Sequence, residues 1–365
     1  MEYRWLGSTG IKVSSFALGA MGFGGATTGG WVGNHELDDV RRHVGMALDA
    51  GVILFDSADS YQRGAAEELL GKALGSNRDR VLVSSKANSR VGEGINDVGQ
   101  SRWHIVRACE DSLRRLGTDR IDVYHVHGFD ACTPLEESLG ALDSLVQSGK
   151  VRYIACSNHA AWQIMKALSV AERRGLSRYV ATHSYYTLVA RELEWEIMPL
   201  CRDQGLGLLV WSPLAGGFLS GKFSRASARP EGTRRAMIGD LGIGPIDEDR
   251  GFAIIDVMRD IAAKRGEGVT CAQVALNWLR TRDVVSSIIL GARSDEQLAD
   301  NLAAVQWTMT ADEQHRLDDV SAIPYPYPHW YQRQFTAERY SRDGAPGEAF
   351  TYQFPTAPIA DNEVN

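Results

Sequence analysis

Four residues able to take part in proton transfer stand close to the ends of three consecutive apolar runs. Asp56, Lys86 and His127 each end one of these runs, and Tyr61 follows Asp56 by five residues. A tyrosine hydroxyl has a pKa of about 10, so it gives up a proton readily near neutral pH only where a cation lowers that pKa. Lys86 can supply the cation, and Asp56 can hold it charged. The set indicates proton donation to an oxygen atom, with His127 orienting a carbonyl beside Tyr61.

Such a set needs a scaffold that brings strand ends together. Eight short apolar runs, separated by amphipathic stretches, fill most of the chain: 15–19, 52–56, 81–86, 121–127, 151–157, 179–183, 207–211 and 287–290. Alternating strands and helices predict parallel pairing, and eight such units predict an α/β fold of the (β/α)8 TIM barrel type. Chemistry in these barrels lies at the carboxyl ends of the strands. Each proton-transfer residue alone has an ordinary structural explanation, but their joint placement at consecutive strand ends indicates a site.

Three further segments complete the predicted architecture. The runs 3–6 and 12–18 flank a turn and predict an N-terminal hairpin that plugs the bottom of the barrel. The long loop 214–249 after the seventh strand is a candidate lid, or else a surface excursion. The Pro-rich and aromatic segment 323–365 is expected to resist helix and strand, and to lie as an extended tail against the barrel or another subunit. We therefore predict one barrel domain, 1–322, followed by the tail.

Composition excludes several classes of function. The chain has 365 residues and a formal net charge of −7, which gives no electrostatic footprint for nucleic acid or for an anionic membrane. No run is as long as a membrane-spanning helix, and no membrane partner is expected. The five cysteines are scattered singly, so neither a disulfide framework nor a zinc ribbon is indicated, and we expect a cytoplasmic protein.

The residue types also indicate that a cofactor is needed, and they permit alternative kinds of site. No side chain can supply hydride, so a reduction at this site requires a cofactor. His125 and His127 share one face of their strand, which permits a metal-dependent hydrolase as an alternative. The segment 22–25 superficially resembles a dinucleotide fingerprint, but it lacks the strand-turn-helix context and the acidic residue that would follow. It indicates a flexible loop at the barrel rim instead.

Six motifs in order make the chain similar to the aldo-keto reductase superfamily over roughly residues 3–320. They are Asp56-Ser57-Ala58 with Tyr61 and Glu67-Glu68-Leu69-Leu70-Gly71; Ser84-Ser85-Lys86; Ile121-Asp122-Val123-Tyr124 leading to His127; Gly149-Lys150-Val151-Arg152-Tyr153-Ile154 leading to Ser157-Asn158; Trp211-Ser212-Pro213-Leu214-Ala215-Gly216-Gly217; and Gly291-Ala292-Arg293 with Gln297 and Asn301. The resemblance implies a barrel enzyme that uses NADPH/NADP+.

The resemblance assigns a role to each matching position. It implies that Tyr61 is the proton donor, Lys86 and Asp56 its tuning pair, and His127 the residue that orients the carbonyl. The implied cofactor contacts are Ser157 and Asn158 to the nicotinamide carboxamide, Trp211 to the ring, Ser212 and Leu214 under the pyrophosphate, Arg293, Gln297 and Asn301 at the adenosine end, and Met21 near the cofactor.

One position departs from the family pattern. The sixth barrel strand usually presents a glutamine to the carboxamide, but alignment on Tyr185-Tyr186 places His183 there. A histidine can donate or accept one hydrogen bond according to its tautomer, so it can replace one function of the amide. The alternative is a register shifted by one residue, with His183 merely packed.

The resemblance implies an NADPH-dependent oxidoreductase that reduces an aldehyde or ketone, including a ketosugar or another bulky carbonyl, or oxidises an alcohol. The partner is then a small-molecule carbonyl or alcohol. A cofactor-sensing regulatory subunit is the alternative, because the superfamily includes potassium-channel β subunits that keep the barrel and the four catalytic residues. The resemblance also allows several copies of the chain to form a homo-oligomer. Substrate choice would lie in the rim loops, where Trp31 and Phe129 are candidate pocket walls.

Overall fold

The computed structural model describes residues 1–25, 33–225, 239 and 243–339. Its strands are β1 (Tyr3–Trp5), β2 (Lys12–Ser14), β3 (Phe16–Gly19), β4 (Leu54–Asp56), β5 (Leu82–Ala87), β6 (Ile121–Val126), β7 (Val151–Ser157), β8 (Tyr179–Tyr185), β9 (Gly207–Trp211) and β10 (Val285–Leu290). Strands β3 to β10 pair in parallel and close on themselves through β10 and β3. The predicted (β/α)8 TIM barrel is confirmed.

The barrel is surrounded by helices whose buried faces pack on the outer side of the strands. The described helices are α1 (Leu37–Asp49), α2 (Ala65–Leu74), α3 (Arg102–Leu116), α4 (Leu135–Gln147), α5 (Ala161–Arg174), α6 (Leu193–Gln204), α7 (Glu248–Arg265), α8 (Cys271–Arg280), α9 (Asp295–Ala303), α10 (Ala311–Val320) and α11 (His329–Arg339). Helix α3 shows why they begin and end where they do. Ser101 accepts a hydrogen bond from the backbone of His104, and Gly117 ends the helix at a φ of 63°.

The N-terminal hairpin closes the barrel floor, as predicted. Strands β1 and β2 pair antiparallel, and Leu6 and Val13 of the hairpin are fully buried. They join an inner cluster with the inward-facing side chains of the strands, such as Leu54, Val123 and Leu209. The period-two alternation of each strand sends the neighbouring side chain outward to the helices. This filled interior leaves the opposite end, at the carboxyl ends of the strands, as the place for a site.

The prediction for the C-terminal segment was wrong over His329–Arg339, which forms α11. The prolines end at Pro328 in this part of the chain, and proline is well tolerated just ahead of a helix. The carbonyl of Pro328 accepts from Gln332, which starts the helical bonding. His329 approaches Glu196 of α6 at 3.5 Å. Residues 340–365, Trp31 and part of the candidate lid, 226–238 and 240–242, lie outside the described residues.

Among the described residues, no helix is both long and apolar enough to cross a membrane.

Candidate active site

The four predicted proton-transfer residues come together at the carboxyl ends of β4, β5 and β6. Asp56 is the last residue of β4, and it pairs with Ser84 on β5. Lys86 lies near the end of β5, opposite His125 of β6. Tyr61 begins a short 3₁₀ turn, Tyr61–Gly64, that leads into α2. His127 follows β6 directly, and its backbone donates to the carbonyl of Ala87. Parallel strands bring these ends to one mouth, as the sequence pattern predicts.

Lys86 and Asp56 form a buried ion pair. The Lys86 Nζ lies 2.7 Å and 2.8 Å from the two carboxylate oxygens of Asp56, and 2.7 Å from the carbonyl of Ser57. Lys86 is fully buried, and Asp56 also accepts the Ser84 hydroxyl at 2.5 Å. Burial lowers the pKa of Lys86, but the charge of Asp56 and the neighbouring Tyr61 raise it, and the net shift is upward. The lysine therefore stays charged despite its burial.

Tyr61 lies between this cation and His127. The Lys86 ammonium is 5.1 Å from the centre of the phenol ring, and the ring centres of Tyr61 and His127 are 5.7 Å apart, edge to face. Burial raises the pKa of Tyr61, while the charge of Lys86 lowers it; the net shift is upward. From the residue types the Lys86 charge was expected to lower this pKa, but the effect of burial is larger. Tyr61 thus keeps its proton at neutral pH.

His127 is neutral. Burial, with the charge of Lys86 second, lowers its pKa to about 3. Its Nδ1 has no hydrogen-bond partner within the part of the chain that the structure describes. A neutral imidazole next to Tyr61 can donate one hydrogen bond to a substrate oxygen, but it cannot act as the acid. The orienting role predicted for His127 would use this neutral form.

Three residues from β7, β8 and β9 form the next part of the mouth. Asn158 follows β7 with a left-handed φ of 57°, and its side chain donates to the His127 carbonyl at 3.0 Å. Its amide oxygen accepts from Trp211 Nε1 at 3.0 Å. The other interaction of Trp211 is a stack on Tyr185, with ring centres 4.8 Å apart. The two contacts hold Asn158 in a strained conformation, which is typical of residues at functional sites.

His183 lies inside the mouth. It pairs with Ser157 across β7 and β8, and its Nδ1 lies 3.1 Å from the Ser157 hydroxyl. Its Nε2 is buried without a hydrogen-bond partner among the described residues. Burial, followed by the charge of Lys86, lowers the pKa of His183 well below its ordinary value. The ring is therefore neutral, and one of its nitrogens is left for a ligand.

The loop after β9 makes a sharply turned backbone wall. Ser212, Ala215, Gly216 and Gly217 all have positive φ, between 50° and 95°. Such angles are unfavourable for the two residues with a Cβ, and they persist where the surroundings enforce them. Hydrogen bonds within the loop do so here: the Ala215 N–H donates to the Ser212 carbonyl at 2.9 Å, and the Gly216 N–H to the Ser212 hydroxyl at 3.2 Å.

The far end of the mouth is formed by the β10–α9 junction. Arg293 is exposed there, and its backbone N–H donates to the Gln297 side chain at 3.0 Å. Ser294 caps α9 by accepting from the backbone of Gln297. Asn301, one turn further, donates to the carbonyl of Gly291 at 3.3 Å. These contacts fix the junction and direct its side chains toward the space in front of β10.

One cavity of about 740 Å³ connects all these parts. It is lined by every predicted site residue except Lys86 and Ser157, which lie behind Tyr61 and His183 respectively: Met21, Asp56, Tyr61, His127, Asn158, His183, Trp211, Ser212, Leu214, Arg293, Gln297 and Asn301. Four further residues that the sequence pattern did not indicate also line it: His35, His43, Lys222 and Asp300. Lys222 follows the end of the motif that begins at Trp211 by five residues, and that proximity was the available signal.

Phe129 does not line this cavity. Its ring packs edge to face on His159 and on Trp162, with ring centres 5.5 Å and 6.0 Å away. These contacts turn it toward α5, so it does not form the pocket wall that the sequence suggested. The alternative of a metal site on His125 and His127 has no support in the structure, because no group of three metal-binding side chains occurs among the described residues.

A closed parallel barrel with a buried Asp–Lys pair, a tyrosine and a histidine at its mouth defines a class of oxidoreductases. The chain belongs to the aldo/keto reductase family, whose model matches residues 19–322. It is 35% identical to a versiconal hemiacetal acetate reductase of Aspergillus parasiticus, over 87% of this chain and 96% of that protein. It is 37% identical to an uncharacterized oxidoreductase of Bacillus subtilis, over 89% and 97%. A probable voltage-gated potassium channel subunit beta of Arabidopsis thaliana is 35% identical, over 84% and 91%.

Proposed function

We propose that this protein is an NADPH-dependent reductase of aldehydes or ketones in which Tyr61 donates the proton. The observation that carries the proposal is the convergence of Tyr61, His127 and the Lys86–Asp56 pair at one end of a cavity that continues to Arg293. The family is one of oxidoreductases, and the name of the Aspergillus relative is that of a reductase. Both support carbonyl reduction.

The residues along the cavity fit a nicotinamide dinucleotide. The unpartnered Nε2 of His183 can bond the carboxamide, and Asn158 keeps one amide N–H for it. The free face of Trp211 would lie against the ring, and the turned backbone around Ser212 would pass under the pyrophosphate. Leu214 lies in the same loop. At the far end, Arg293, Gln297 and Asn301 would hold the adenosine part, with Lys222 as a further cation. When bound, the reduced nicotinamide supplies hydride to the carbonyl carbon.

The remaining chemistry belongs to the four residues at the cavity end. His127, being neutral, would donate a hydrogen bond to the carbonyl oxygen and fix its position beside Tyr61. Tyr61 would donate its proton to that oxygen as negative charge develops on it. Lys86 would stabilise the phenolate left behind, and Asp56 would keep Lys86 charged and in place. Oxidation of an alcohol would run through the same proton positions in reverse.

Replacing Tyr61 with Phe tests this proposal. The ring remains but the proton is lost, so turnover of NADPH with a reducible carbonyl should fall by about 10²–10⁴-fold. NADPH affinity, measured by quenching of tryptophan fluorescence, should stay within about twofold. Tyr179→Phe is the matched control, because Tyr179 is a buried barrel tyrosine outside the cavity. Near wild-type turnover in Tyr61→Phe would remove Tyr61 from the reaction.

A regulatory subunit that senses the cofactor is the second candidate, supported by the similarity to proteins named probable potassium channel beta subunits in Arabidopsis thaliana and rice. The two candidates differ in turnover. Steady-state oxidation of NADPH across aldehydes, ketosugars and polycyclic ketones distinguishes them. Activity abolished by Tyr61→Phe supports the reductase, whereas NADPH binding with no turnover on any of the carbonyls supports the subunit.

The proposal also covers the division of the chain into a barrel and a C-terminal segment. We assign the reductase to residues 1–322 and treat 323–365 as an appended segment that contacts the barrel or a second copy. The cysteine thiols are free, and all but Cys132 are buried, which suits a reducing cytoplasm.

A further inference from the structure

A second cluster of charged groups lies behind the lysine strand, between the barrel wall and the helices. Asp59 is 2% exposed, and Glu67 of α2 is completely buried. Arg115 of α3 donates through its Nε to Glu67 at 2.7 Å. Gly64 makes room for it, because a Cβ there would come within 2.7 Å of the Arg115 side chain. The charged or titratable groups that act on Asp59 are Glu67 of α2, Arg115 of α3, Lys86 of β5, Tyr124 of β6 and Tyr61 of the 3₁₀ turn.

The charges in this cluster do not balance if both carboxyl groups are ionised. Arg115 is committed to Glu67, which also accepts the Ser85 hydroxyl at 2.5 Å. Lys86 is committed to Asp56 on the inner side of the strand. No side-chain donor reaches either carboxyl oxygen of Asp59 in the described part of the chain, and the adjacent Ser60 backbone N–H lowers the pKa of Asp59 less than burial raises it. An ionised carboxylate without a side-chain donor or a cation of its own is strongly disfavoured in a buried layer, so the proton belongs on Asp59.

We propose that Asp59 is a neutral carboxylic acid in the working enzyme, and that the loss of its proton to solvent in mildly alkaline solution weakens Tyr61 as the proton donor. This inference rests on the proposed function of Tyr61. Asp59 touches neither substrate nor cofactor in this scheme. It is a positioning residue, which acts on the reaction only through the charge that it places behind Lys86 and Tyr61.

The backbone of Asp59 lies next to both Lys86 and Tyr61. Its N–H donates to the Lys86 carbonyl at 3.0 Å, and it precedes Tyr61 by two residues. Burial, with the charge of Glu67 second, raises the pKa of Asp59 to about 8. An ionised Asp59 raises the pKa of Tyr61 and makes the phenol a poorer acid. A weaker phenol acid donates its proton more slowly, so we expect proton donation to fall by about threefold to tenfold when Asp59 ionises.

Infrared spectroscopy of the intact protein tests the charge state directly. A protonated carboxylic acid gives a carbonyl band that a carboxylate lacks. We expect one such band at pH 7 that disappears by about pH 10, and we expect it to be absent in Asp59→Asn. If no carboxyl band titrates between these pH values, the proposal is overturned, and this result needs no variant and no activity.

Thermal unfolding gives a second readout. Between about pH 4 and about pH 8 the folded protein keeps the Asp59 proton, whereas the unfolded chain has released it. The contribution of Asp59 to the free energy of unfolding therefore falls as the pH rises through this range. Asp59→Asn removes that dependence. Its melting temperature, relative to that of the wild type, should therefore rise between pH 5 and pH 8. Glu67→Gln is the matched control: with one negative charge removed, the Asp59 transition should move to lower pH. A difference between Asp59→Asn and wild type that is constant with pH overturns the proposal.

The pH profile of kcat tests the coupling to Tyr61. Wild-type kcat should fall about threefold to tenfold through a transition near pH 8, and Asp59→Asn should lose that transition while its rate at pH 7 stays within about twofold. An unchanged transition in Asp59→Asn overturns the coupling. If Tyr61 were not the donor, Tyr61→Phe would stay active, and the infrared and melting results would still stand, so the two failures are distinguishable.

Discussion

The buried pair of Lys86 and Asp56 offers a strong test of the site, because its role in stability and its role in the reaction can be separated. Consider Lys86→Met, which preserves much of the side-chain volume. Asp56 would lose its two close contacts to the ammonium group and its counter-charge, and would keep the Ser84 hydroxyl. The Ser57 carbonyl would lose its contact to the same ammonium. Removing one partner of a buried ion pair costs about 3–5 kcal/mol, because the other charge is left uncompensated.

The double variant Asp56→Asn/Lys86→Met should recover most of this loss. It removes both charges, and a buried pair replaced by neutral groups of similar volume is often close to neutral in stability. With about 3–5 kcal/mol expected for each single variant and about 1–2 kcal/mol for the double, the coupling energy should be at least about 4 kcal/mol. Denaturant unfolding of the four proteins measures it. Additive losses would refute the argument that the two charges stabilise each other.

The same variants predict a pH dependence with a definite sign. In Lys86→Met the lone Asp56 would retain its proton in the folded state, because burial raises the pKa of a carboxyl without a cation. The folded state then binds more protons than the unfolded chain above about pH 4, so stability falls as pH rises. We expect Lys86→Met to be less destabilised at pH 5 than at pH 8. Turnover should stay low in both Lys86→Met and the double variant even where stability recovers, because neither contains the cation beside Tyr61.

Three further outcomes are expected. His183→Leu should weaken binding of both nicotinamide cofactors by about 1–3 kcal/mol, because it leaves the carboxamide unpaired, whereas His183→Gln should preserve binding; equal dissociation constants for wild type and the Leu variant would remove His183 from the site. Arg293→Ala should weaken NADPH by one to two decades, from the loss of about 1.5–3 kcal/mol, and leave NADH nearly unchanged, with the loss shrinking as salt rises; parallel changes for both cofactors would contradict a contact with the 2′-phosphate. Truncation at Ile323 should change the substrate KM or the oligomer mass while the far-ultraviolet spectrum stays that of a barrel; unchanged kinetics, mass and melting temperature would show that the segment is dispensable.

The barrel and the grouping of its rim residues could be predicted because both follow from periodic and local signals. Eight apolar runs with intervening amphipathic stretches determine the parallel order, and the parallel order brings strand ends such as Asp56 and Lys86 to one mouth. Helix ends were also readable, since the glycine that follows α3 adopts the left-handed conformation that its position requires. These features depend on residues close in sequence or on a topology that those residues impose.

The balance between burial and charge could not be predicted from residue types. Tyr61 was expected to have its pKa lowered by Lys86, but the pKa is raised, because the packing that brings the cation close also removes the phenol from water. The position of Lys222 on the cavity depends on how the loop after β9 turns back, and that turn depends on positive φ angles at residues such as Ser212 and Ala215. Serine and alanine carry no sequence signal for such angles.

The position of His183 depends on both the sequence pattern and the pairing of β7 with β8. From the sequence, an alignment on two tyrosines offered two registers, and only one placed the imidazole in the site. In the structure, β7 and β8 are shifted relative to each other between Ile154 and Cys156, and the shift places His183 opposite Ser157. The Ser157 hydroxyl then occupies Nδ1 and leaves Nε2 facing the cavity. A glutamine would present a donor and an acceptor together, whereas the neutral ring presents one of them, set by its tautomer. The serine behind His183 therefore determines what the ring can offer to a ligand, and Ser157→Ala should change cofactor affinity only while His183 is present.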